Sequence, residues 1–227
     1  MSFVERLVKM IQRLATRPWL LHRMRELGIS WYPPNYVYFD TFGPSSVVAD
    51  VGCGYEAEFS RHMIDAHGLR AFGVDPTRKH ALFLRELEKS SQGRFTHLPL
   101  AVSRTTGRLT FHESKQNESG SILTAHTNIR NDETTAYDVE SVSLRELVRR
   151  LGTESVAFLK LDLEGAEYEL FEQVDEEDLR PFGQIFLECH HHCTDHTFRE
   201  TKDLVGRVCR TGFNVFTLDQ HNYLFYR

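Results

Sequence analysis

The stretch Val48-Ala49-Asp50-Val51-Gly52-Cys53-Gly54 decides the fold: an apolar strand runs into an acid and two glycines just ahead of a helical pattern. Glycine lets the chain turn tightly and lets backbone amides approach a ligand that a Cβ would block. A second strand, Ala71-Phe72-Gly73-Val74, ends in Asp75-Pro76, so Asp75 falls about 21 positions after Gly54. That is near the spacing at which an acid grips ribose hydroxyls at the carboxyl end of a parallel sheet.

Working outward, β-branched apolar runs alternate with helical patterns from position 46 onward. The candidate strands are 46–51, 70–75, 95–102, 156–162, 184–190, 213–218 and 222–227, and the helical patterns are 57–67, 77–89, 143–151, 166–174 and 197–210. This alternation predicts an α/β, Rossmann-like fold with a mostly parallel sheet and helices on both faces. The last two strands are separated only by Asp219-Gln220-His221, too short for a helical crossover, so they form an antiparallel C-terminal hairpin. A smaller β excursion is expected at 107–113. Residues 1–45 read as an N-terminal helical extension and 46–227 as the main domain. In the extension Val4, Leu7, Val8, Ile11 and Leu14, then Leu20, Leu21, Met24 and Leu27, recur at helical spacing, interrupted by Pro18 and stopped by Gly28. This is read as a lid or packing element. Trp31 to Phe42, which contains Pro33-Pro34, reads as an irregular lead into the sheet.

Composition narrows the function. The 227 residues carry 27 Lys+Arg against 32 Asp+Glu, a formal charge of −5, without the basic excess that a phosphate backbone demands. No nucleic-acid partner is expected. No apolar run approaches the roughly 20 residues that span a bilayer, so neither membrane insertion nor export is expected and the location is read as cytoplasmic. Cys53, Cys189, Cys193 and Cys209 lack disulfide-scaffold spacing and are expected to be free thiols.

Two cofactor classes use a glycine turn followed by a distal acid. Gly52-Cys53-Gly54-Tyr55-Glu56-Ala57 can be placed on the dinucleotide pattern, which keeps an NAD(P)-dependent oxidoreductase open. Asp50 favours the other class: its carboxylate would repel a pyrophosphate but suits the cationic end of S-adenosylmethionine.

With these residues in place, the sequence resembles class I S-adenosylmethionine-dependent methyltransferases, and among them the FkbM family. The resemblance is carried by Asp50-Val51-Gly52-Cys53-Gly54, Val74-Asp75-Pro76, Leu100-Ala101-Val102-Ser103 followed by Gly107, and Lys160-Leu161-Asp162-Leu163-Glu164-Gly165-Ala166-Glu167. It implies a seven-stranded sheet with a reversed final strand and O-methylation of a small hydroxylated acceptor such as a sugar or polyketide. It also implies a cofactor site at Asp50, Gly52, Cys53, Gly54, Asp75, Pro76 and Ala101. A non-catalytic module that only binds S-adenosylmethionine is the remaining alternative.

The chemistry belongs at the strand ends. Asp162 ends an apolar strand and Glu164 follows it, so either carboxylate suits the orientation or deprotonation of an acceptor hydroxyl. Glu164 and Glu167 also suit a helix N-terminus, where negative charge complements the dipole. The neighbouring strand ends in Glu188 and His190, two residues apart and so on one face. His190 is read as a proton acceptor because histidine titrates near neutral pH. The cluster His190, His191, His192, Cys193 and His196 fits no zinc spacing. An ion on Asp162, Glu188 and His190 is the lesser reading, and no metal is assigned. The polar stretch 114–121 is read as a loop over the acceptor.

Overall fold

The computed structural model describes Val8, residues 18–124 and residues 126–227. Apart from Val8, the helical pattern before Pro18 lies outside the described residues. In chain order the elements are α1 (Pro18–Leu27), β1 (Ile29–Tyr32), β2 (Tyr36–Phe39), β3 (Val47–Val51), α2 (Glu58–His67), β4 (Arg70–Val74), α3 (Ala81–Ser90), β5 (Phe95–Leu98), β6 (Ala101–Val102), β7 (Gly107–Ser114) and β8 (Gly120–Ser121). They continue with α4 (Thr127–Arg130), β9 (Thr134–Val142), α5 (Leu144–Leu151), β10 (Val156–Leu161), α6 (Glu167–Leu170), α7 (Glu176–Leu179), β11 (Phe182–Glu188), α8 (Phe198–Arg210), β12 (Asn214–Thr217) and β13 (Asn222–Tyr226).

Seven strands form the main sheet in the order β12-β13-β11-β10-β3-β4-β5. Pairing is parallel from β5 through β11, and β13 runs antiparallel to both β11 and β12. The α/β fold with a reversed terminal strand is therefore as the sequence indicates. Each central strand is apolar on both sides because both faces are covered. Ala49, Val51, Leu159, Leu161, Ile185 and Leu187 pack into one core with α5 and α8. Val48, Phe158, Phe186 and Leu224 pack into the other with α1, α2 and the β1–β2 hairpin.

Three departures from the sequence reading have local causes. The segment 95–102 is not one strand: β5 stops at Leu98, and Pro99, which has no N–H to donate to a ladder, sends the chain out to β6 in a second sheet. That sheet has the order β6-β9-β7-β8, and its long strand Thr134–Val142 was not read from the sequence. Trp31 to Phe42 is not irregular, and the extension is not wholly helical. Ile29–Tyr32 and Tyr36–Phe39 pair antiparallel, and Gln184 clamps the second strand: its Oε1 accepts from Phe39 N at 2.8 Å while its Nε2 donates to Phe39 O at 2.9 Å.

Candidate active site

The carboxyl ends of β3, β4 and β10 open onto a cavity that encloses about 820 Å³, its open mouth included. Gly52, Gly54, Asp75, Pro76, Ala101, Asp162 and Glu164 all line it. Glu118, Ser119, Gly120 and Ser121 close part of its rim, so the polar loop meets the cavity.

The two glycines of the turn do different work. Both have positive φ, 70° at Gly52 and 67° at Gly54. A Cβ on Gly52 would stand 2.1 Å from the carbonyl oxygen of Asp162, so Gly52 is required by the neighbouring strand and not by a ligand. A Cβ on Gly54 would meet nothing within 4 Å, which leaves this position as the open approach. Cys53 turns away from the cavity: its Sγ lies beside Gly73 and Phe95, and burial pushes its thiol pKa up.

Asp50 does not face the cavity either. The β3–β10 register sets it beside Lys160, whose Nζ approaches to 3.1 Å, and the side chains are 1% and 2% exposed. Ser60 donates to Asp50 Oδ2 from its backbone N at 3.2 Å and its hydroxyl at 2.8 Å. Burial works against the Lys160 charge, but Asp50, Tyr36 and Asp162 outweigh it and the ammonium is retained. The same Nζ donates to Gly52 O at 2.8 Å and so pins the glycine turn. The expectation that Asp50 faces a sulfonium is thus corrected: its charge is already neutralised inside the chain.

Asp75 is the acid that reaches the cavity. Its Oδ2 accepts from Gly54 N at 3.0 Å and contacts His80 Nδ1 at 3.2 Å, and its Oδ1 accepts from Thr77 N at 2.8 Å. Burial alone would raise its pKa, but His80 and Thr77 outweigh this and hold the carboxyl below the usual range. A carboxylate offers about four lone-pair sites, so the internal contacts to Gly54, His80 and Thr77 take at least three and leave at most about one for a ligand hydroxyl.

In the same cavity, Glu164 adopts φ 50° and its Oε2 meets His126 Nε2 at 2.7 Å. Burial raises its pKa, and the His126 bond together with His190 more than reverses this. Asp162 shifts upward, chiefly through burial. Its Oδ2 is 3.9 Å from Lys160 Nζ and its Oδ1 is 3.4 Å from His190 Nε2. Glu188 ends β11 and is pushed up to about 8 by burial and then by Asp162.

His190 is buried, and its ring Nδ1 and backbone N both meet Glu167 Oε1, at 3.2 and 2.7 Å. Burial lowers the imidazole pKa, yet Glu167, Asp162 and Glu164 outweigh it and lift the value to about 10. Three carboxylates thus gather around the His190 ring and favour its protonated form, which counts against the near-neutral base read from the sequence. Glu167, at 0% exposure, supports His190 rather than a solvated helix end. Lys160, His80 and His126 were not assigned roles from the sequence, and Glu167 was read only as a helix-end charge. Only Lys160 and Glu167 lay inside a quoted motif, where an unusual lysine within an apolar strand was the available signal.

A family model described as the methyltransferase FkbM domain matches residues 53–215. No curated protein sequence matches the chain. Among solved structures, the methyltransferase FkbM of Methylobacillus flagellatus KT aligns at TM-score 0.53 and 14% identity, over 84% of this chain and 46% of that one. The present chain thus spans about half the length of that relative. The fibrillarin of Aeropyrum pernix, solved with natively bound S-adenosyl-L-methionine, aligns at TM-score 0.46 and 12% identity over 81% and 66% of the two chains. A precorrin-6y C5,15-methyltransferase of Geobacter metallireducens GS-15 aligns at TM-score 0.42 and 13% identity over 82% and 80%.

Proposed function

The chain belongs to the FkbM methyltransferase domain family, and from that premise we propose that it transfers a methyl group from S-adenosylmethionine to a hydroxyl oxygen of a small metabolite. The observation that carries the reading is that Gly54 and Asp75 line the same cavity as Asp162 and Glu164. The cofactor fits the residues present. Gly54 leaves open space, and Asp75 keeps at most about one acceptor site for a ribose hydroxyl, while Pro76 and Ala101 supply flanking apolar wall.

S-adenosylmethionine supplies a sulfonium methyl, whose carbon–sulfur bond breaks toward sulfur as the acceptor oxygen takes the carbon. The chain's own contribution is position: an in-line displacement gains most from reactants held at near-attack distance. Asp162 and Glu164 line the same cavity as the glycine turn and orient the acceptor hydroxyl, and one of the two carboxylates accepts its proton. His190 fixes Asp162 and Glu164 from 3.4 and 3.7 Å. A small acceptor is favoured over nucleic acid by the charge of −5 and by the acids at the cavity.

The test is turnover with methyl-labelled S-adenosylmethionine and a panel of hydroxylated metabolites. Label recovered as an O-methyl ether is the expected result. Label recovered only on nitrogen or carbon, or only on added RNA, would reject the O-methyl reading.

A further inference from the structure

The acids at the β10 and β11 ends outnumber the cations that face them, and this imbalance points to a ligand of its own. One oxygen each of Asp162 and Glu188 and Nε2 of His190 lie within 4.8 Å of one another. Ligands on opposite sides of a Mg²⁺- to Ca²⁺-sized ion stand about 4 to 5 Å apart, so small side-chain shifts bring all three onto one ion. Asp162 Oδ1, which faces His190 Nε2, is shielded from solvent and has no hydrogen-bond partner. At 3.4 Å the His190 ring faces this oxygen without a hydrogen bond, so a cation between the two would be held by both.

Two further details select the donor set. His190 gives its Nδ1 to Glu167, a fully buried carboxylate, which turns Nε2 toward Asp162. Metal-ligating histidines are held in this way by a carboxylate on the other ring nitrogen. A rival set, His126, Glu164 and His190, is equally compact. However, His126 Nδ1 accepts from Asn128 N at 3.2 Å, so its proton stands on Nε2, 2.7 Å from Glu164 Oε2. Nε2 also lies 3.1 Å from Cys193 Sγ, so both ring nitrogens of His126 are engaged inside the chain, and His126 is a positioning residue for Glu164.

We propose that Asp162, Glu188 and His190 bind one divalent cation of the Mg²⁺/Mn²⁺ class beside the methyl-transfer cavity, the ion taking the place of the His190 Nε2 proton, which is released to solvent. Two carboxylate oxygens and one imidazole suit such an ion, and its remaining positions are left for water and acceptor oxygens. Asp162 belongs both to this set and to the cavity wall. What the ion does there rests on the O-methylation reading: a bound acceptor hydroxyl is oriented and made more acidic. Its binding does not rest on that reading.

The experiment is therefore a titration of Mn²⁺ into the metal-stripped full chain without methyl donor or acceptor, followed by loss of the free-ion electron paramagnetic resonance signal. One saturable site is expected. Asp162→Asn and Glu188→Gln each weaken it tenfold or more, and Glu167→Gln weakens it about 10- to 100-fold by loosening His190. His126→Gln leaves the affinity within about twofold. Circular dichroism confirms that each variant is folded, and Glu188→Gln, at the half-exposed strand end, serves where a buried substitution unfolds the chain. A folded wild-type chain that takes up no Mn²⁺ would overturn the proposal. So would a site indifferent to Asp162→Asn and Glu188→Gln, or one lost in His126→Gln alone.

Discussion

Two neighbouring pairs of strand ends carry acids, and they are treated in opposite ways. At the β3 and β4 ends each acid is held by neighbours of its own: Asp50 by the Lys160 ammonium at 3.1 Å and by Ser60, Asp75 by Gly54, Thr77 and His80. At the β10 and β11 ends, Asp162, Glu164 and Glu188 share the His190 ring, and Lys160 stands 3.9 Å from Asp162. The first pair is a finished framework whose shape is fixed before any ligand arrives. The second holds more carboxylates than cations, and it is there that the proposed acceptor and ion would bind.

The comparison breaks most visibly at Lys160. Lys160→Met strands the buried Asp50 charge, and a loss of about 3–5 kcal/mol in urea unfolding is expected. The double variant Asp50→Asn/Lys160→Met removes both charges and recovers most of that loss. Equal destabilisation of the single and double variants would mean that the pair is not the framework described here.

A smaller effect separates the glycines. Gly52→Ala forces a Cβ onto the Asp162 carbonyl in addition to the left-handed backbone cost, for roughly 2–4 kcal/mol of stability. Gly54→Ala carries only the backbone cost, about 1 kcal/mol, yet narrows the open approach and weakens cofactor binding. Chemical denaturation paired with titration calorimetry separates these outcomes. A Gly52→Ala chain as stable as Gly54→Ala would contradict the assigned division of labour.

The smallest effect concerns pH. Because the folded pKa of Asp75 lies below the usual carboxylate range, its contribution to stability is fully present above about pH 4 and is lost as pH falls through the depressed folded value. The stability difference between wild type and Asp75→Asn is therefore flat from pH 8 to 5 and shrinks only below about 4. Urea midpoints across that range check the sign. A difference that already closes between pH 7 and 5 would show that Asp75 is not held ionised.

Most of the fold was legible because central parallel strands are apolar runs of fixed length, and β3, β4, β10 and β11 fall within two residues of the segments read. The missing strand Thr134–Val142 alternates Tyr137, Val139 and Ser141 inward against Asp138 and Glu140 outward, so its signal was present. The β1–β2 hairpin was hidden by Pro33-Pro34, which reads as a breaker but sits in its turn. The site was legible in position but not in role. Asp50 and Asp75 look equivalent as strand-end acids, and only register reveals that Lys160 consumes the first. Likewise His126 lies 64 residues before His190, and no local pattern announces that both meet Glu164.

The central claim is that the β3–β4 turn holds S-adenosylmethionine through Asp75. Its most direct test is titration calorimetry of S-adenosylmethionine and of NAD⁺ into wild type and Asp75→Ala. One-to-one binding of S-adenosylmethionine, no binding of NAD⁺, and a loss of about tenfold or more in the variant are expected, since a hydrogen bond to a charged group is worth about 1.5 kcal/mol or more. Unchanged affinity in Asp75→Ala, or a preference for NAD⁺, would contradict it.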